Sequence, residues 1–144
     1  MYISYIMQTS AWGPPFWETM FMVASNYPLK IECQRDLIKK KYYKNFFTNL
    51  KDILPCVYCR RSYKKFLKEI PLKNYLDTRK RMVYWVYLLK NKVNKKLLDQ
   101  YNKGMCPNPP VKAPSFKKIY DHYDKFRAKC TDKTQTCSKP LSKK

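Results

Sequence analysis

The chain has 144 residues, 44% apolar and 16% aromatic, enough to fill one hydrophobic core and too apolar to be disordered throughout. Its two glycines, Gly13 and Gly104, exclude Gly-rich phosphate loops and tightly turned β-architectures, and with them the usual Rossmann and P-loop routes to a nucleotide cofactor. Against 10 Asp+Glu stand 31 Lys+Arg, a formal net charge of +21, which attracts polyanions and anionic surfaces without specifying a nucleic-acid site.

The first twelve residues, Met1 to Trp12, carry no charged n-region and no long apolar stretch. They do not read as a secretory signal. A first helix is expected from about Pro15 to Asn26, opened by Pro14-Pro15 and closed by Pro28. Trp17, Met20, Phe21 and Ala24 fall on one of its faces. A second is expected from about Ile31 to Ile53, ended by Pro55. Its apolar residues keep a helical period while Lys39, Lys40, Lys41 and Lys44 fall largely elsewhere.

A third helix is expected from Cys56 to about Glu69, with Pro71 beyond its end. The fourth and longest runs from about Lys73 to Tyr101. Its aromatic cluster, Tyr84-Trp85 with Tyr87, exceeds what one stripe needs, so it is either buried on several sides or lines a cavity. The uncharged apolar run Val83–Leu89 is far short of the roughly 18–20 residues of a membrane span. Four prolines between Gly104 and Pro114 mark a loop. A short fifth helix follows from about Ser115, a plausible N-cap, to Lys129, and the rest reads as a polar, basic tail.

Chemistry concentrates at Cys56-Val57-Tyr58-Cys59. Pro55 precedes this C-x-x-C, and a helix is expected to start there. A helix N-terminus offers unpaired N–H groups and positive potential, which stabilise a thiolate. Arg60 and Arg61 add cationic charge in sequence. Two cysteines three apart at a helix start can close a disulfide and open it again, as a catalytic dithiol must. Zinc is the main competitor, but it needs four ligands. The chain has one C-x-x-C and one histidine, His122, and Cys106, Cys130 and Cys137 are not spaced as a ligand pair. No metal is expected.

Further landmarks occur in order: Trp12-Gly13-Pro14-x-x-Trp17, Tyr27-Pro28, Leu54-Pro55-Cys56-x-x-Cys59-Arg60, Pro71-Leu72 and Asn91-x-Val93-Asn94. This ordered set resembles the Erv/ALR flavin-linked sulfhydryl oxidases, especially the small forms of large cytoplasmic DNA viruses, over about residues 12 to 120. The resemblance implies an all-α fold, a four-helix bundle with a short fifth helix, in a domain spanning residues 12–129. An extension of residues 1–11 and a basic flexible tail of residues 130–144 flank it.

The resemblance also implies bound FAD, molecular oxygen as electron acceptor and hydrogen peroxide as product. Its partners are a protein dithiol substrate or a thioredoxin-like relay protein, and the enzyme is a homodimer. A viral member acts in the host cytoplasm or the virion. Cys59 is then the flavin-proximal sulfur and Cys56 the outer one. Trp12, Trp17, Phe21, Trp85, Leu88, Asn91, Val93, Asn94, Lys96 and Phe116 are the expected cofactor contacts. The family's usual histidines are replaced by Phe21 and Lys90. Cys130 and Cys137 are either a shuttle disulfide or two free thiols, and Cys33 reads as a buried structural thiol. The alternative is a basic helical protein that binds nucleic acid through charge alone, its cysteines structural.

Overall fold

A computed structural model of the chain describes residues 7–131 and 136–140. The remaining parts of the expected N-terminal extension and tail lie outside the described residues. The chain divides into two compact units, Met1–Ala113 and Pro114–Lys144.

The first unit holds four helices: α1 Thr9–Ser25, α2 Gln34–Ile53, α3 Val57–Glu69 and α4 Arg79–Asn102. A 3-10 turn, Leu72–Tyr75, joins α3 to α4. The expected four-helix arrangement is present, and two boundaries differ by six residues. Helix α1 starts six residues before Pro15, because helical geometry tolerates Pro14 and Pro15 near its start; only their two missing N–H bonds are lost. Helix α4 starts at Arg79 rather than Lys73. Thr78 caps it, its hydroxyl accepting from the Arg81 N–H at 3.2 Å, and a bridge between Lys30 and Thr78 fixes the chain there.

Helix α4 is the central element. Met82, Val83, Trp85, Val86 and Leu89 are all essentially solvent-free. They pack with Met20, Phe21 and Ala24 of α1, and with Phe47 and Leu50 of α2, as core. Burial at this density needs the polar tips of the aromatics to be satisfied. Trp85 Nε1 donates to the Ile70 carbonyl at 2.9 Å, an acceptor left over at the end of α3. Tyr27 donates to the Leu76 carbonyl at 2.7 Å, and Tyr63 to the Phe47 carbonyl at 2.6 Å.

Those phenols make stability pH-dependent. Burial, then the charge of Asp77, raises the Tyr27 pKa from 10.0 to about 12, and burial raises Tyr63 as well. A pKa raised by folding favours the protonated form. The contribution is therefore complete below pH 10 and is lost as pH rises from about 10 to 12. Melting temperature followed by circular dichroism is expected to fall steeply over that window. Tyr27→Phe should blunt the fall. An unchanged slope in Tyr27→Phe would show that Tyr27 is not responsible.

The second unit begins with α5, Phe116–Asp124, capped by Ser115 as expected. The helix is shorter than the sequence suggested. Residues beyond it form an antiparallel pair, β1 Ala128–Thr131 and β2 Thr136–Pro140, where a plain basic tail was expected. A disulfide joins Cys130 to Cys137 across it. A two-stranded ribbon is marginal alone, and the crosslink supplies the constraint that apolar alternation does not.

Candidate dithiol site

The chain between α2 and α3 is extended at Leu54, and Cys56 is the N-cap of α3. Its sulfur accepts the Cys59 N–H at 3.3 Å. The pair is a free dithiol, with Cys56 only 6% exposed and Cys59 half-buried. Cys56 is thus the less solvent-exposed of the two. Ile53 and Tyr58, 67% and 66% exposed, leave an apolar rim beside it.

The two sulfurs hold their protons unequally. Burial by itself would push Cys56 up. Hydrogen bonds from the Cys59 thiol and from the Cys59 and Tyr58 N–H groups, with the charge of Lys96, outweigh it and lower Cys56 below 9.0. Burial, the same thiol hydrogen bond and the charge on Cys56 raise Cys59 to about 11, against the opposing pull of Lys96 and Thr9. Cys56 is therefore the more acidic sulfur of the reduced pair, and Cys59 the one that holds its proton more tightly.

The cation that acts on the pair is not the expected one. Arg60 turns back to donate to the Leu54 carbonyl at 2.5 Å, and Arg61 stacks 5.8 Å over the Tyr58 ring. Lys96 of α4 supplies the charge instead. Its Nζ donates to Ser62 Oγ at 2.7 Å, one turn past Cys59. Sequence reasoning placed Lys96 toward the cofactor and missed Ser62 and Thr9 altogether. No pattern marks Thr9, which was assigned to the extension and belongs to α1.

Helices α1 and α4 run antiparallel. Thr9 and Lys96 meet the dithiol at one end, and Lys90 meets Trp17 halfway along. At the far end Arg79 Nε donates to the Tyr27 carbonyl at 2.6 Å. Two features of this seam suit a planar, anionic cofactor. Trp12 Nε1 is buried without an acceptor, one turn from Thr9 on the same helix. A buried indole N–H left unpaired is costly, and a ligand oxygen or nitrogen would satisfy it. Lys90 Nζ lies 5.8 Å from the Trp17 ring and 5.9 Å from the Phe21 ring. The two positions that depart from the family pattern thus sit against each other.

The other expected contacts divide. Leu88, Asn91, Val93 and Asn94 are half-buried on α4. Trp85 is not a wall residue: it is fully buried, its N–H is bound to Ile70, and its ring packs edge-on against Phe47 at 5.5 Å. Phe21 is 1% exposed and belongs mainly to the core. Phe116 lies in the second unit, 5.8 Å from Tyr120. Cys33, expected to be buried, is exposed at the N-cap of α2, where it opens the helix instead of lying on its inward face. Among the described residues no three His, Cys, Asp or Glu side chains gather as a metal site, and no helix is long and apolar enough to cross a membrane.

Comparison with known proteins places these features. A profile of the Erv1/Alr family matches residues 14–120. A probable FAD-linked sulfhydryl oxidase of Acanthamoeba polyphaga mimivirus is 34% identical over 89 residues, 61% of this chain; the match spans 59% of the viral protein's length. The crystal structure of the yeast Erv1 core superposes with a TM-score of 0.55 at 25% identity, covering 67% of this chain and 77% of that one.

Proposed function

Because the chain belongs to the Erv1/Alr family, we propose that it is an FAD-dependent thiol oxidase that forms disulfides in a protein substrate. The observation that carries this reading is a dithiol of unequal acidity, Cys56 and Cys59, at the end of a seam that also holds the unpaired Trp12 N–H. The balanced reaction takes two thiols and one O2 to one disulfide and H2O2.

Trp12, Trp17 and Lys90 would hold the cofactor, with Asn91, Val93 and Asn94 along the same helix. When bound, FAD supplies the two-electron acceptor and the route to oxygen. The chain's own residues do the thiol chemistry. A substrate thiolate attacks Cys56 of the Cys56–Cys59 disulfide, and Cys59 leaves as a thiolate. The second substrate thiolate then displaces Cys56, so the substrate departs as a disulfide and the pair is left reduced. The exposed rim of Ile53 and Tyr58 suits an incoming protein chain and brings it to the enclosed Cys56. Cys59 faces α1 through Thr9, on the side of the seam. Its thiol donates a hydrogen bond to Cys56, so its proton already points at a base when the disulfide re-forms.

The substrate is a protein dithiol or a thioredoxin-like relay protein. The Cys130–Cys137 disulfide is a second candidate entry point for its electrons. The enzyme acts as a homodimer, in the host cytoplasm or virion of a virus.

The purified protein is expected to be yellow, with a flavin absorption spectrum, and to consume oxygen when given dithiothreitol. A colourless protein that consumes none after incubation with FAD would remove the reading. The +21 charge favours no separate nucleic-acid role beyond electrostatic attraction, which would weaken steeply with salt.

A further inference from the structure

We propose that Ser62 is a positioning residue that holds the Lys96 ammonium against the Cys56–Cys59 pair, so that a contact between α3 and α4 sets the reactivity of the dithiol. The inference rests on the redox reading of that pair and not on the cofactor.

Ser62 and Lys96 are half-buried on facing helices, joined at 2.7 Å. Cys59 and Ser62 are three residues apart in α3 and so share a face. The kind of acceptor matters. A serine hydroxyl fixes an ammonium in place but leaves its charge intact. A carboxylate at the same point would fix it and cancel it. The neighbouring cations are cancelled in that way: Lys92, one turn earlier on α4, pairs with Glu69 at 2.6 Å, and Lys64 of α3 pairs with Asp52 at the end of α2 at 3.1 Å. Arg60 is spent on the Leu54 carbonyl and Arg61 on the Tyr58 ring. Helix α1 brings only the uncharged Thr9. Lys96, held on a neutral hydroxyl, is the cation whose charge acts on both sulfurs, and a lysine stem has four rotatable bonds that would otherwise let the charge drift into water.

The test measures the rate at which iodoacetamide alkylates Cys56 in the reduced full-length protein across pH. Mass spectrometry assigns the site, since Cys33 and Cys106 are also free. Ser62→Ala should slow alkylation at pH 7 about threefold, and Ser62→Asp or Lys96→Met about tenfold, the latter a displacement of the midpoint by about one pH unit. Ser62→Thr, which keeps the hydroxyl, should restore the parent profile. Ser62→Ala should add nothing in the Lys96→Met background. An unchanged profile in Ser62→Ala, or an equal effect of it with and without Lys96, would overturn the inference. The readout needs no flavin. Colourless protein with the expected displacement would uphold the positioning role and remove the oxidase reading, whereas a yellow, active enzyme indifferent to Ser62→Ala would do the opposite.

Discussion

Replacing Cys59 by serine is expected to lower dithiol-driven oxygen consumption at least about 1000-fold while leaving flavin absorbance in place, because the redox disulfide can no longer form and its scaffold is kept. With Cys56 alone, attack by a substrate thiolate has no internal disulfide to open. The single sulfur can be trapped only by attacking an oxidised substrate disulfide, which expels one substrate thiolate and leaves a mixed disulfide that a non-reducing gel resolves. Cys56→Ser should stop turnover equally, with a different signature. Removing Cys56 takes away the hydrogen bond and the negative charge that help raise Cys59 to about 11. Cys59 in that variant should therefore alkylate faster at pH 8 than in the parent. Retention of more than about a tenth of the oxygen consumption in Cys59→Ser would contradict the assignment, since that exceeds what any bypass through the other thiols supports.

The second large effect lies in the core. Trp85→Ala is expected to cost about 3–5 kcal/mol, the range for deleting a buried aromatic. That is a substantial part of the about 5–15 kcal/mol that holds a typical domain together. The residue is fully buried, packs edge-on to Phe47 across the α2–α4 contact, and binds the carbonyl at the end of α3. One side chain thus ties three helices. Trp85→Phe separates the contributions. It keeps most of the apolar contact but strands the Ile70 carbonyl, at about 1–3 kcal/mol. Urea denaturation gives both numbers. A loss below about 1 kcal/mol in Trp85→Ala would mean that the ring is not the core element described.

How much of this was legible beforehand differs by residue, and for physical reasons. The helices were visible because Met82, Val83, Val86 and Leu89 recur at helical spacing and must be buried. The Cys56–Cys59 pair was visible because proline before a C-x-x-C marks a helix start. The role of Trp85 was not. Periodicity says that a position faces inward, but not whether protein or ligand waits there. Thr9 and Ser62 were invisible as functional residues, since a single hydroxyl leaves no pattern in composition or period. The expected help from Arg60 failed because nearness in sequence does not fix where a long side chain points; the free Leu54 carbonyl was the better partner. The missing histidines showed only as gaps at Phe21 and Lys90. That a lysine on α4 rests over aromatic rings on α1 emerged once the two helices were set side by side. The ribbon closed by Cys130 and Cys137 carries no apolar alternation, so its strands had no signal of their own.

Helix α1 carries its two prolines at Pro14 and Pro15, inside the helix. Each lacks the N–H that would reach back four residues, so the Ser10 and Ala11 carbonyls lose those rungs. The turns before Pro14 are therefore joined to the rest of α1 with fewer cooperative bonds than any later segment. They are expected to open as a separate unit, their amide protons exchanging well before those beyond Phe16. Thr9, which meets Cys59, lies in that unit. Fraying of these turns lifts the lid from one sulfur while the bundle stays folded. Cys59 is therefore expected to alkylate through a local opening, at a free energy below that of melting the whole domain.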